Sequence, residues 1–182
     1  MKKPKLMIMI GLPASGKSTF TARYPDACIC SADQVRAEWF GKEDLQYTED
    51  FLKEHGIDPE GKTEREKEKS AHPFVWGEVK RRAMEAVAEG KDVIIDGTNT
   101  QRFNRKLLME PFRTSAQLYG IWINTPPEVC IKWDAMRSRH VGEEVIRRHA
   151  GLFEEPTLEE GFQVIEVYDQ NGTLVSRKTR SE

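Results

Sequence analysis

Apolar runs too short to be helices recur along this chain, with stretches of helical spacing between them. Residues 6–10, 27–30, 93–95 and 118–123 each form such a run. Continuous apolar runs of this length read as strands of a parallel sheet covered on both faces. The intervening segments predict helices at about 16–24, stopping before Pro25, and at 33–41, fading at Gly41. From Pro73, the spacing of Val75, Trp76, Val79, Ala83, Ala86 and Val87 gives a helical stripe closed by Gly90. A helix over 101–110 follows, with Asn99 or Thr100 as its cap, then helical segments at 127–140 and 143–152. Residues 162–168 and 173–176 read as a hairpin turning at Asn171-Gly172. The order predicts an α/β fold: a parallel sheet of four to five strands flanked by helices, with a C-terminal β-hairpin.

One segment differs in kind. Residues 41–72 are charged and carry Gly56, Pro59 and Gly61, ending in a run of mixed charge from Lys62 to Ser70. They read as an insertion, part helix and part loop, over the active-site face. A solvated helix face is the simplest account of the charge run.

At 182 residues the chain has the length of a single domain, 1–182. With 28 Lys and Arg against 30 Asp and Glu, the net charge of −2 advertises no global field for a nucleic acid. A local groove remains compatible with one. Cys28, Cys30 and Cys130 show neither a disulfide framework nor a zinc spacing, and read as small buried hydrophobes in a reduced, cytoplasmic protein. His72, His140 and His149 show no metal-ligand pattern. No apolar run approaches a membrane span, and Met1-Lys-Lys-Pro-Lys5 leads into a strand rather than a removable signal, so no membrane partner is expected.

Directly after the first apolar run, Gly11-Leu12-Pro13-Ala14-Ser15-Gly16-Lys17-Ser18 satisfies G-x-x-x-x-G-K-[ST], with Thr19 following. Strand, glycine turn and helix start together point backbone N–H groups at one anion. These nine residues are candidate ATP-binding groups: Lys17 for the β/γ-phosphates, and Ser18 for Mg²⁺ as the metal ligand.

The second run leads into Ser31-Ala-Asp33-Gln-Val-Arg36, at the sheet edge where ligands bind in open α/β folds. Asp33 can take a proton from a hydroxyl that attacks the γ-phosphate, and Arg36 can fork onto a substrate phosphate. Equally, Asp33 can cap its helix and Arg36 can pair with a nearby acid. The third run ends in Asp96-Gly97-Thr98-Asn99, where Asp96 suits a Mg²⁺-bound water or an arginine, and Asp-Gly is also a turn signal. Arg137, Arg139, Arg147 and Arg148 crowd 130–152 beside Lys132 and His140. Such a segment serves as a lid over a transferring phosphoryl group, or as a basic solvated helix pair.

These motifs, with Phe153-Glu-Glu-Pro-Thr-Leu-Glu-Glu-Gly-Phe162, resemble the P-loop kinases of the polynucleotide 5′-hydroxyl kinase type over nearly the whole chain. The resemblance implies a P-loop kinase fold with a helical lid, ATP and Mg²⁺, and transfer of phosphate to a 5′-hydroxyl end of DNA or RNA. It implies Asp33 as general base, Arg36 on an acceptor phosphate, and Arg137 on the ATP phosphates. The third motif, Asp96, Thr98 and Asn99, falls on the acceptor side. Trp133 stands where relatives carry a second lid arginine, leaving Arg139 or Lys132 as its substitute. No D-x-D-x-[TV] phosphatase motif is present, so separate phosphatase or ligase proteins are expected as partners. Kinases of a small molecule, an aminoacyl-tRNA or a sugar nucleotide share the ATP half. A non-catalytic ATP-binding switch needs the loop but not Asp33.

Overall fold

The computed structural model describes residues 3–42 and 46–180. Met1, Lys2 and positions 43–45 of the insertion lie outside the described residues. Strand β1 (Lys5–Ile10) is the centre, hydrogen-bonded on one side to β3 (Val93–Asp96) and on the other to β4 (Gln117–Asn124). Strand β2 (Cys28–Ser31) lies outside β3, and β5 (Val164–Asp169) and β6 (Leu174–Thr179) extend the other flank. The order is β2-β3-β1-β4-β5-β6, with only β6 antiparallel.

The unbroken apolar character of β1 follows from its place. Leu6, Ile8 and Ile10 face one core with Val75, Val79, Val93 and Phe162, while Met7 and Met9 face the other with Phe20 and Ile121. Alternate residues point to opposite faces, and both faces are covered, so neither set can be polar. The expected sheet is present, and the C-terminal hairpin belongs to it, since β5 pairs with β4 in parallel. Its turn is wider than a two-residue Asn-Gly turn. Asp169 N–H donates to Thr173 O, and Asp169 Oδ1 accepts from the N–H groups of Asn171 and Thr173.

Helix boundaries differ from expectation where side chains cap or divert the backbone. Helix α1 (Lys17–Thr21) is shorter than its apolar spacing suggests, and α2 (Ala32–Phe40) starts on a Ser31 cap whose Oγ accepts from Gln34 N–H. Helix α3 (Glu49–Glu54) occupies part of the insertion. Helix α4 (Glu64–Ala88) begins nine residues before Pro73, at a capping box in which Thr63 and Glu66 satisfy each other's backbone N–H groups. Pro73 is exposed within it, so the carbonyl that loses its partner faces water. The charge run is therefore the first two turns of the helix that carries the apolar stripe.

Helix α5 (Arg102–Met109) has Gln101 as its N-cap without a side-chain bond; Asn99 and Thr100 are not its caps. Helix α6 (Pro127–Asp134) ends where the Asp134 carboxylate accepts N–H bonds from Val141 and Gly142 and folds the chain back. The helix expected to run to residue 140 is thus a helix and a loop, followed by α7 (Glu143–Gly151). Leu12 packs against Cys130 and Ile146, joining α6 and α7 to the loop after β1. All three cysteines are free, with Cys30 and Cys130 buried. Among the described residues no helix is long and apolar enough to cross a membrane.

Candidate functional site

The loops after β1, β2, β3, β4 and β5 all open at one edge of the sheet, and the chain reverses its direction of travel across the sheet at β1. That is where an open α/β sheet forms its ligand crevice. The loop after β1 is held from below. Gly11 N–H donates to Thr98 O at 2.9 Å, and Thr125 Oγ1 donates to Ser15 O at 2.8 Å. A side chain at Gly11 would meet Ile123 O and Ser15 Oγ, each at 2.8 Å, which is why this position carries none. Ala14 is held at φ 58, a left-handed conformation that an alanine adopts only under constraint.

Lys17 Nζ is enclosed by this loop, donating to Gly11 O at 3.1 Å, Leu12 O at 2.5 Å and Ser15 Oγ at 3.3 Å. Among the described residues no carboxylate pairs with it directly. Burial lowers the Lys17 ammonium to about 8, an effect that Asp96 opposes. A buried cation satisfied only by neutral oxygens is suited to receive an anion. Beside it, Ser18 Oγ donates to Asp96 Oδ2 at 3.4 Å, and burial raises the Asp96 carboxyl. A hydroxyl and a carboxylate flanking a phosphate loop fit a hard cation with oxygen ligands, so Ser18 and Asp96 are the residues suited to Mg²⁺.

A cavity of about 510 Å³ opens above the loop. Ala14 to Thr19 form its floor, whereas Gly11, Leu12 and Pro13 are buried beneath and do not line it. Trp133 and Arg137 come from the end of α6 and the loop after it; the Trp133 ring lies against the open side of Gly16. The far wall is the turn Asp169–Gly172 together with Arg23, which donates to Gly172 O at 2.7 Å and lies over the Phe20 ring. This wall was not legible as a site in the sequence, where the turn is only a hairpin signal. Its one clue is that the strand before it belongs to the parallel sheet, which delivers the turn to the ligand edge.

Asp33, Arg36 and Arg139 do not line this cavity and form a cluster of their own. Asp33 stands on the first turn of α2, half-exposed, with Oδ1 accepting from Arg36 Nη1 at 2.9 Å and Oδ2 lying 3.6 Å from Arg139 Nη1. It lies close enough to Lys17 and Asp96 to act on both charges. Arg36 is mostly buried, which lowers its guanidinium, and its Nε–H has no partner among the described residues. Across from it, α4 contributes His72, whose Nε2 accepts from Trp76 Nε1 at 2.9 Å. That bond fixes a neutral imidazole, and burial together with nearby Arg36 lowers its pKa.

Three predicted residues have scaffold contacts. Asn99, at φ 45, is buried and donates from Nδ2 to Met9 O at 2.8 Å. Thr98 meets the phosphate loop through its carbonyl. Arg147 pairs with Glu143 and Glu128 on the outer surface.

A glycine-rich anion loop at the centre of a parallel sheet, with a serine and an acid beside it, defines a P-loop nucleotide-binding domain. The chain belongs to the AAA domain family, whose sequence profile matches residues 6–156. Among solved structures it is similar to a chain of the Pnkp1/Rnl/Hen1 RNA repair complex, with 20% identity and a TM-score of 0.63 over 84% of this chain and 44% of that one. The present chain thus spans less than half the length of that relative. A putative kinase from Chloroflexus aurantiacus matches at 17% identity and TM-score 0.65, covering 93% and 86% of the two chains. A gluconokinase from Sinorhizobium meliloti matches at 16% and 0.56, covering 93% and 84%. No curated protein sequence matches. At these identities the likeness establishes the shared fold.

Proposed function

We propose that this protein is an ATP-dependent kinase that transfers the γ-phosphoryl group to a 5′-hydroxyl end of DNA or RNA. The observation that carries the reading is Asp33. An acid on the first turn of α2, near enough to Lys17 to act on its charge yet outside the lining of the 510 Å³ cavity, suits a base facing a terminal phosphate from the acceptor side. The acceptor oxygen forms a bond to the γ-phosphorus as the bond from that phosphorus to the β-phosphate oxygen breaks. The hydroxyl proton passes to the Asp33 carboxylate. Lys17 and the loop amides hold the phosphates, Trp133 and the turn Asp169–Gly172 enclose the nucleoside, and Arg137 lies on the cavity rim where charge accumulates. Ser18 and Asp96 would hold Mg²⁺, which would neutralise charge on the phosphate oxygens.

A strand end brings a phosphate of its own, and the incompletely paired Arg36 guanidinium is suited to it. A small alcohol is the second reading, favoured by the charge of 41–72, where six Lys or Arg stand against ten Asp or Glu. An acidic wall does not attract a long polyanion.

Label transfer from ATP to 5′-hydroxyl oligonucleotides, nucleosides and sugars separates the readings. Oligonucleotide phosphorylation with a salt-dependent KM is the expected result. Phosphorylation of sugars alone would replace the first reading with the second, and ATP binding with no transfer to any hydroxyl would overturn both.

A further inference from the structure

Among the described residues, the most deeply buried charges lie outside the cleft. Arg105 on α5 is 0% exposed and Glu160, in the segment between α7 and β5, is 1% exposed. They form a two-pronged ion pair, Nε to Oε2 at 2.7 Å and Nη2 to Oε1 at 2.8 Å. Glu160 Oε1 also accepts from Thr157 N–H at 2.9 Å, and Arg105 Nη1 donates to Asn99 O at 3.0 Å. Two charges enclosed this completely are no gain over a well-packed apolar pair unless their directionality is used. Here it is directed at residues 98–100. On one side this segment supports the phosphate loop, through Thr98 O with Gly11 N–H and Asn99 Nδ2 with Met9 O. On the other it meets the base of α7, through Thr100 Oγ1 with His149 Nδ1 at 3.3 Å, and Thr100 O with Glu154 N–H at 2.9 Å.

We infer that Arg105 and Glu160 are positioning residues for the nucleotide: they clamp 98–100 so that the Gly11 backbone keeps the anion-binding loop in shape, and they tie that loop to the base of the arginine-bearing segment. The inference rests on the proposed ATP site but not on the identity of the acceptor. Neither residue lines the cavity, so an effect on nucleotide binding travels through 98–100, which Arg105 reaches directly at Asn99 O and, through Glu155 O at 3.5 Å and the adjacent Glu154, at Thr100.

The test is ATP·Mg²⁺ titration by calorimetry, well below the melting transition of each variant. Arg105→Lys and Glu160→Gln should weaken ATP binding about tenfold or more and raise the KM for ATP while leaving the KM for the acceptor unchanged. Val87→Ala, a core truncation at the far end of α4, serves as a control that lowers stability without touching the bridge; it should bind ATP as the parent does. If Arg105→Lys and Glu160→Gln fail to fold, Asn99→Gly removes the link to Met9, tolerates the positive φ, and should show the same loss. Parent-like ATP affinity in the folded variants, or in Asn99→Gly, would overturn the inference. No ATP binding by the parent protein would instead remove the proposed function.

Discussion

Arg139 reaches from the loop between α6 and α7 to Asp33 at the start of α2, with Nη1 3.6 Å from Oδ2. The contact ties the loop between α6 and α7 to α2, and it leaves Asp33 between two guanidinium groups, those of Arg36 and Arg139. In the proposed reaction an acceptor hydroxyl has to compete with these donors for the same carboxylate.

Replacing Asp33 by Asn keeps the shape and removes the proton acceptor. Turnover is expected to fall roughly a hundred- to ten-thousandfold, with ATP affinity unchanged because Asp33 does not line the cavity proposed for the nucleotide. Steady-state kinetics with parallel ATP titrations check this. A variant with parent-like kcat removes Asp33 from the chemistry.

Lys17 gives the protein a signature in alkaline solution. Its ammonium falls from 10.5 to about 8 on folding, chiefly through burial. Below about 8 both folded and unfolded chains hold the proton, and the cost of the buried charge, on the order of 3 kcal/mol, is fully present. Between about 8 and 10.5 the unfolded chain holds more protons, so this group makes the protein more stable as pH rises through that window. A triphosphate restores the charged amine. ATP binding near pH 8.5 is therefore expected to take up a proton, read as a difference in calorimetric enthalpy between buffers of unlike ionisation heat. Equal enthalpies in the two buffers would show that the amine is already fully charged.

The length of α4 makes a separate stability prediction. Thr63→Ala removes one half of its capping box and should cost about 1 kcal/mol, seen as a lower urea midpoint with an unchanged slope. If the helix began at Pro73 instead, the substitution would fall in a loop and the midpoint would not move.

Much of this architecture was legible because its causes are local. Buried strands announce themselves when both faces are covered, as in β1, and the phosphate loop has a spacing that few other structures need. The positions of Asp33 and Asp96 at the ligand edge were legible because each follows or ends an apolar strand. The errors arose where a distant partner decides the outcome. Asn99 looks like a helix cap until Met9 O claims its amide. The 127–140 segment looks like one helix until Asp134 captures the N–H groups of Val141 and Gly142. Pro73 reads as a helix start unless the capping box upstream is weighed against it. Arg105 and Glu160, 55 residues apart, gave no local signal of pairing.

The turn Asp169–Gly172 carries the last prediction, because it forms a wall of the cavity proposed to take the nucleotide. Gly172 is held at φ 74, and the Arg23 guanidinium occupies the space into which a side chain there would project. Gly172→Ala therefore both strains the turn, by on the order of 1–3 kcal/mol, and displaces Arg23 from Gly172 O and the Phe20 ring. In the proposed reaction the consequence falls on the nucleotide alone, since Asp33, Arg36 and Arg139 do not line this cavity. The KM for ATP should rise while the KM for the acceptor holds. Arg23→Ala should reproduce part of that rise without backbone strain, and the two substitutions together should cost less than their sum, because both act through one contact. Additive losses, or a change confined to the acceptor KM, would separate this turn from the nucleotide site.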